Sequence, residues 1–240
     1  EGGRFRIDDI IIEGLIKTHR KIVTRELRFE RGQIMHYDQL LKSQRELYLT
    51  GLFHSVYIRP VRAGRDTTRY KSVLIELTEK ETGEFSASVG YGSYETLRGR
   101  LEVMETNVAG TARKAGLTLR ASFKYWGLEA SYTQPWAFGV PWRTDVTAHL
   151  NRESEPSYEL LRRGARLTVG RSYTERSKIT FTYRTELNTL EEVKITPVPD
   201  QIKSDVRSLT VAGTRDTRDN LFYPNSGYLI DLRNEVAGLW

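Results

Sequence analysis

The segment Arg113-Lys-Ala-Gly-Leu-Thr-Leu-Arg-Ala-Ser-Phe123 alternates without a break. Arg113, Ala115, Leu117, Leu119, Ala121 and Phe123 fall on one side of an extended chain, and Lys114, Gly116, Thr118, Arg120 and Ser122 on the other. Successive side chains of a β-strand point to opposite faces, so this spacing predicts a strand with one apolar and one polar face. The pattern spreads in both directions. Strand 126–134 sets Trp126, Leu128, Ala130 and Tyr132 against Glu129, Ser131 and Thr133, and strand 96–107 sets Leu97, Gly99, Leu101 and Val103 against Arg98, Arg100 and Glu102. Strand 85–91 carries Phe85, Ala87, Val89 and Tyr91 on one face, and further strands are predicted near 144–151, 158–172, 178–188, 206–213 and 228–236. From Glu84 onward the helical period is gone, and an antiparallel sheet of eight or nine strands is expected.

Upstream the grammar differs. Phe5, Ile7 and Ile10-Ile-Ile12 predict a strand closed by Gly14. Thr18 is placed to cap a helix through about Phe29, and Leu40, Leu41, Gln44, Leu47 and Tyr48 predict a second helix over 38–49, stopped by Gly51. Two strands follow, 53–61 and 70–79, joined by an Arg-rich hairpin over 62–69. The order is β-α-α-β-β, a small α+β domain over 1–82, with the all-β part over 83–240.

The chain has 240 residues, no cysteine and a net charge of +6, and its mean hydropathy is −0.52. No stretch offers the ~18 consecutive apolar residues of a transmembrane helix. A β-barrel stays open, because its alternating strands give a weak hydropathy signal. The opening Glu1-Gly2-Gly3 shows no secretory leader, so a mature or excised piece is expected. Alternation alone suits a soluble sandwich as well as a barrel. Long strands, aromatics at the ends of the apolar face (Tyr91, Trp126, Tyr132, Trp136, Trp142) and charges at mid-strand on the polar face add weight to a barrel with a wet interior.

Other chemistry is weakly signalled. His19, His36, His54 and His149 lack paired metal-ligand spacing, and Gly90-Tyr-Gly-Ser-Tyr94 has the wrong order for a nucleophile elbow. No phosphate-binding loop or dinucleotide fingerprint occurs, so no enzyme and no cofactor are expected. Glu102 and Glu129 are expected to pair with Arg98, Arg100 or Arg120. A nucleic-acid platform needs stacking and phosphate-binding groups on one face, whereas aromatics and charges here lie largely on opposite ones. No nucleic-acid partner is expected, although a soluble basic β-protein that binds one remains an alternative.

The segment Gln44-Arg-Glu-Leu-Tyr-Leu-Thr-Gly-Leu-Phe-His-Ser-Val-Tyr-Ile58 resembles the second helix and following strand of a POTRA domain. Together with Gly90-Tyr-Gly-Ser93 and Arg215-Asp-Thr-Arg-Asp-Asn220…Pro224-Asn-Ser-Gly227, it makes the whole chain resemble the Omp85 superfamily, nearest to its BamA and TamA branches. The resemblance implies the last POTRA domain plus the N-terminal half of a barrel of about sixteen strands. Leu15 after Gly14 departs from the family pattern, and the Arg-containing motif of the family's inward-folding loop has no match.

By that resemblance the chain acts in the bacterial outer membrane, with the POTRA domain in the periplasm, folding and inserting β-barrel clients. The implied partners are unfolded outer-membrane β-barrel proteins, outer-membrane lipids, and accessory lipoproteins or a periplasm-spanning protein. Two-partner-secretion transport of a polypeptide is the alternative within the superfamily. The first barrel strand, Phe85, Ser86, Ala87, Ser88, Val89, Gly90, Tyr91 and Gly92, is implied to be a lateral gate. Counting strands from a periplasmic start puts Arg215, Asp216, Arg218, Asp219, Asn220, Pro224 and Gly227 in an inner turn, with Phe222 and Tyr223 as headgroup anchors, and puts 189–204 outside.

Overall fold

The computed structural model describes residues 5–62, 69–193 and 203–238. The chain forms two compact units. The first holds residues up to Gly83 together with Thr106–Arg113, and the second holds Glu84–Glu105 and the chain from Lys114 onward.

In the first unit β1 (Arg6–Glu13), α1 (Arg20–Thr24), α2 (Tyr37–Leu49), β2 (Phe53–Arg62) and β3 (Tyr70–Glu79) follow in the expected order. The sheet runs β1-β3-β2, with β1 parallel and β2 antiparallel to the central β3. A register shift between Ile7 and Ile10 puts these two residues, three apart, on the core side; alternation then resumes, so Ile12 packs on the core and Ile11 is exposed. Ile7, Val23, Leu40, Leu47, Leu52, Val73 and Ile75 are almost fully buried. Burial of a side chain of this kind is worth roughly 1.5–3 kcal/mol. Gly14 has φ +86°, and a Cβ there would lie 1.8 Å from the Leu77 carbonyl oxygen, so only glycine fits.

Two expectations are corrected in this unit. Thr18 does not cap a long helix, since α1 is short and begins at Arg20. The backbone N–H groups of Ile16, Lys17 and Thr18 instead donate to the Glu79 carboxylate at 3.1, 2.9 and 2.8 Å. A carboxylate from the end of β3 thus ties down the segment that would have been the helix's first turn. In α2 only Leu40, Ser43 and Leu47 are buried, while Leu41 and Tyr48 are exposed. Ser43 is at home in the core because its hydroxyl donates to the Gln39 carbonyl and accepts from the Arg28 N–H, each at 2.8 Å. Most of the Arg-rich hairpin, 63–68, lies outside the described residues.

The second unit is one antiparallel meander of nine strands: β4 (Gly83–Gly92), β5 (Thr96–Val108), β6 (Arg113–Ser122), β7 (Tyr125–Gln134), β8 (Arg143–Glu155), β9 (Tyr158–Thr174), β10 (Ser177–Glu191), β11 (Lys203–Asp216) and β12 (Leu229–Ala237). Each predicted strand is present. The register preserves the two faces from strand to strand. Ala115, Tyr132, Val146, Leu167, Tyr183, Leu209 and Val236 form one apolar row from β6 to β12. Lys114, Thr133, Asp145, Thr168, Thr182, Thr210 and Glu235 form a polar row on the opposite face. A sandwich would bury the apolar face against a second sheet. Leu117, Leu128, Val146, Leu167, Phe181 and Leu209 are instead exposed, and the packed core cluster belongs to the first unit. Strand lengths of 9 to 17 residues match a membrane span better than the ~5–6 of a typical soluble strand. The architecture is an α+β domain and part of an antiparallel barrel.

Candidate functional site: the edge of the first barrel strand

β4 and β12 are the two edges of the nine-stranded sheet. All eight predicted gate residues, Phe85 through Gly92, lie in β4. Its apolar face projects Phe85, Val89 and Tyr91, which are 70%, 79% and 78% exposed. β4 has 10 residues, as β6 and β7 do, against 13 in its neighbour β5. On the polar face the Arg98 side chain lies across Gly90, and a Cβ at that glycine would come 3.1 Å from Nε. Gly90 thereby leaves room for an arginine from the paired strand to reach over β4. Beside it opens a cavity of about 790 Å³ lined by Ser88, Arg98, Arg100, Arg120, Glu153 and Arg162 among others. Arg162 pairs with Glu153 at 3.4 Å and Arg98 with Glu95 at 3.6 Å. Glu102 pairs with Arg100 at 2.7 Å as expected. Glu129 does not: among the described residues it is in no salt bridge, because its cross-strand neighbours are Thr118 and His149.

The tip of the β4–β5 hairpin is held at its turn. The Tyr94 hydroxyl donates to Glu155 at the end of β8, and Lys124 Nζ sits 4.0 Å from the centre of the Tyr94 ring. The Glu155 carboxylate pushes the Tyr94 hydroxyl up to about 12.

The β11–β12 turn draws most of its predicted residues together. Arg218 grips Asp216 with Nε and a terminal nitrogen, each at 2.9 Å. Among the described residues Asp219 pairs with no arginine; it accepts backbone N–H bonds from Asn220, Asn225 and Ser226 at 2.9, 3.0 and 3.2 Å. The Ser226 N–H leads the groups that hold its carboxyl below the usual carboxylate range. Asn220 accepts from the N–H of Phe222 and Tyr223. Gly227 has φ +93°, and a Cβ there would meet the Thr217 carbonyl oxygen at 2.3 Å. Arg215 stands apart from this turn network, with its guanidinium 5.6 Å from the Tyr228 ring. Pro224, Phe222 and Tyr223 are exposed. Of the expected outer connection, 194–202 lies outside the described residues.

The β5–β6 turn, 106–113, escaped the sequence reading. It packs in the first unit. Asn107 is 1% exposed; its Nδ2 donates to Thr18 Oγ1 at 2.9 Å and its Oδ1 accepts from the Ala112 N–H at 2.8 Å. The Gly110 carbonyl accepts from the His19 N–H at 2.9 Å, and a Cβ on Gly110 would lie 2.0 Å from the Lys17 carbonyl oxygen. Ala109 and Gly110 inside Asn107-Val-Ala-Gly-Thr-Ala112 mark a turn, but nothing local announces that its partner lies near residue 18.

Residues 107–239 match the model of the Omp85 superfamily domain, more than half of the chain. The protein belongs to the Omp85 superfamily. Residues 5–80 match the POTRA model, described as a surface antigen variable number repeat. The chain is 24% identical over 236 residues to outer membrane protein assembly factor BamA of Nitratidesulfovibrio vulgaris, covering 97% of this chain and 30% of that protein. It is 25% identical over 258 residues to BamA of Neisseria meningitidis serogroup B, covering 98% and 32%. Among solved structures it resembles BamA from Haemophilus ducreyi lacking POTRA domains 1–3, with TM-score 0.73 at 17% identity over 98% of this chain and 49% of that one. It also resembles CdiB from Acinetobacter baumannii, with TM-score 0.59 at 16% identity over 98% and 46%. The chain thus spans about a third of the length of the curated Omp85 relatives it matches.

Proposed function

We propose that this chain is the membrane-proximal POTRA domain (1–82) and first barrel portion (83–240) of an outer-membrane assembly factor. It inserts β-barrel clients by offering the edge of β4 as a template. One observation carries the reading: β4 is an edge strand of an amphipathic sheet whose apolar face is exposed. An edge strand presents a row of backbone donors and acceptors to any incoming strand. Such pairing reads strand geometry rather than side chains, so one edge serves many client sequences. The mechanism uses binding energy and needs no catalytic group or cofactor. The POTRA domain lies in the periplasm, the meander in the outer membrane, and the turn containing Asp219 and Gly227 at the inner boundary.

Backbone N–H direction alternates along a strand, so one of Ser88 and Val89 donates toward β5 and the other toward the free edge. Proline at the edge-facing position removes a template donor and leaves the β4–β5 ladder intact. In the full-length protein, Ser88→Pro and Val89→Pro are compared with Val89→Ala for folding and client insertion. The folded proline variant loses insertion and the alanine variant keeps it. Normal insertion by every folded proline variant sinks the templating reading. Polypeptide export through the lumen, as in two-partner secretion, is the second reading; the polar rows of the sheet and the fold shared with CdiB favour it.

A further inference from the structure

Among the arginines on the lipid-facing side of the meander, which include Arg113, Arg152, Arg163 and Arg207, Arg171 and Arg215 stand at the ends of β9 and β11 where the pattern calls for apolar residues. In β9 the apolar positions Ala165, Leu167 and Val169 are followed, on the same face, by Arg171 and Tyr173. In β11 Leu209, Val211 and Gly213 are followed by Arg215. Arg171 faces Ile179 of β10, which faces Gly213 of β11, and Arg215 faces Ser177. The two arginines therefore flank β10 from strands about 10 Å apart. Both sit at the end of the strands set on the periplasmic side: β9 closes at Thr174 and β11 at Asp216.

Each guanidinium is laid against a tyrosine. Arg171 is 5.3 Å from the Tyr173 ring centre, and Arg215 is 5.6 Å from that of Tyr228. Among the described residues neither arginine is in a salt bridge. A stacked guanidinium keeps its N–H edge free to donate to an anion. On β10, between the two arginines, stand Ile179, level with Arg171, and Ser177, level with Arg215, which adds a hydroxyl; Gly213 leaves the β11 side of Ile179 without a side chain. On the membrane side of this level the apolar residues Val169, Phe181 and Val211 continue the face. A charge on the lipid face is tolerated near the interface and costly at mid-membrane, so arginines at this level fit the headgroup layer.

We propose that Arg171 and Arg215, each backed by its tyrosine, form a binding site for the phosphodiester of an anionic phospholipid in the periplasmic leaflet. Ser177 of β10 lies between the two strands that carry the arginines, and the acyl chains run along the apolar face. The proposal rests on the membrane-spanning reading of the meander. The site holds a lipid beside β9 to β11, away from the β4 edge.

The test uses the full-length protein, delipidated in detergent and titrated with phosphatidylglycerol, with diacylglycerol of the same chains, and with inorganic phosphate as competitor, read by native mass spectrometry. Phosphatidylglycerol binds, diacylglycerol does not, and equimolar inorganic phosphate does not displace the lipid. Arg171→Gln and Arg215→Gln each weaken binding about fivefold, as expected for one arginine near a lipid surface. Arg166→Gln, the same charge change on the opposite face of β9, leaves it unchanged. Equal binding by all variants, equal loss in Arg166→Gln, or displacement by inorganic phosphate overturns the site. Failure of the wild-type protein to insert into vesicles overturns the membrane reading itself, whereas insertion with unaltered lipid binding in the variants overturns only this proposal.

Discussion

At the scale of single residues, buried polar groups decide where the chain is fixed. Asn107 satisfies Thr18 Oγ1 and the Ala112 N–H at once. Asn107→Ala leaves those groups unpaired in a buried place, which costs roughly 1–3 kcal/mol; faster amide exchange at Ala112 checks it. Glu79 has a clear pH sign. Burial pushes its carboxyl up, but the N–H groups of Lys17, Thr18 and Ile16 outweigh burial and hold it below the usual range. A depressed carboxyl gives stability that is present above the unfolded pKa and lost as pH falls through the folded value. Amide exchange at Ile16–Thr18, normalised for its intrinsic pH dependence, shows protection at pH about 6 that falls at about 3. Glu79→Gln lowers protection at neutral pH and flattens that dependence. The sequence did not disclose these contacts. Asn107 and Thr18 are 89 residues apart, and a local reading of Thr18 finds only the nearest helix to cap.

At the scale of elements, the strands were legible because a half-solvated sheet enforces period two residue by residue. Lys114 to Ser122 falls on alternate faces, with no exception that the register had to absorb. The first unit was legible in order but not in detail, since Leu41 and Tyr48 look like core on a helical wheel. They line a groove of about 310 Å³ with Gln44, Arg45 and Val56, beside the β2 edge. β3 is central and flanked on both sides, and the start of β1 already pairs on its outer side with residues 32–35, so among the described residues β2 offers the open edge. A client segment adding to this sheet by β-augmentation pairs with β2. Pro60 sits in that strand and offers no donor. Photo-crosslinking probes at His54 and Tyr57 should therefore capture client, and probes in β3 at Leu74 should not. Capture confined to the meander would contradict a client-binding role for this edge. In the β11–β12 connection, Gly227→Ala places a Cβ against the Thr217 carbonyl and should lower the yield of folded full-length protein. An unchanged heat-modifiable band on electrophoresis would show that the turn relaxes without cost.

At the scale of the whole molecule, nine strands leave the edges of β4 and β12 open, and open edges are unstable in lipid and prone to pairing in water. Residues 1–240 expressed alone should form edge-paired oligomers in detergent; a monodisperse monomer with a regular small barrel would show this portion to be self-sufficient. The fold of each unit was readable from period and order, and the β4 edge from its place as first strand. On the templating proposal, what the edge pairs with is written in no residue of β4, because backbone groups would carry that function. Disulfide mapping in the full-length protein, with any cysteine outside residues 1–240 replaced, addresses it directly, since these 240 residues hold none. Single substitutions Ser86→Cys, Ser88→Cys and, as lumen-wall controls, Thr147→Cys and Arg166→Cys are combined with a cysteine scanned along a client strand stalled during insertion. The templating account predicts crosslinks from the β4 positions that advance two client residues for every two residues of β4, in antiparallel register. Crosslinks confined to Thr147→Cys and Arg166→Cys, with none from β4, would contradict it and point to passage through the lumen.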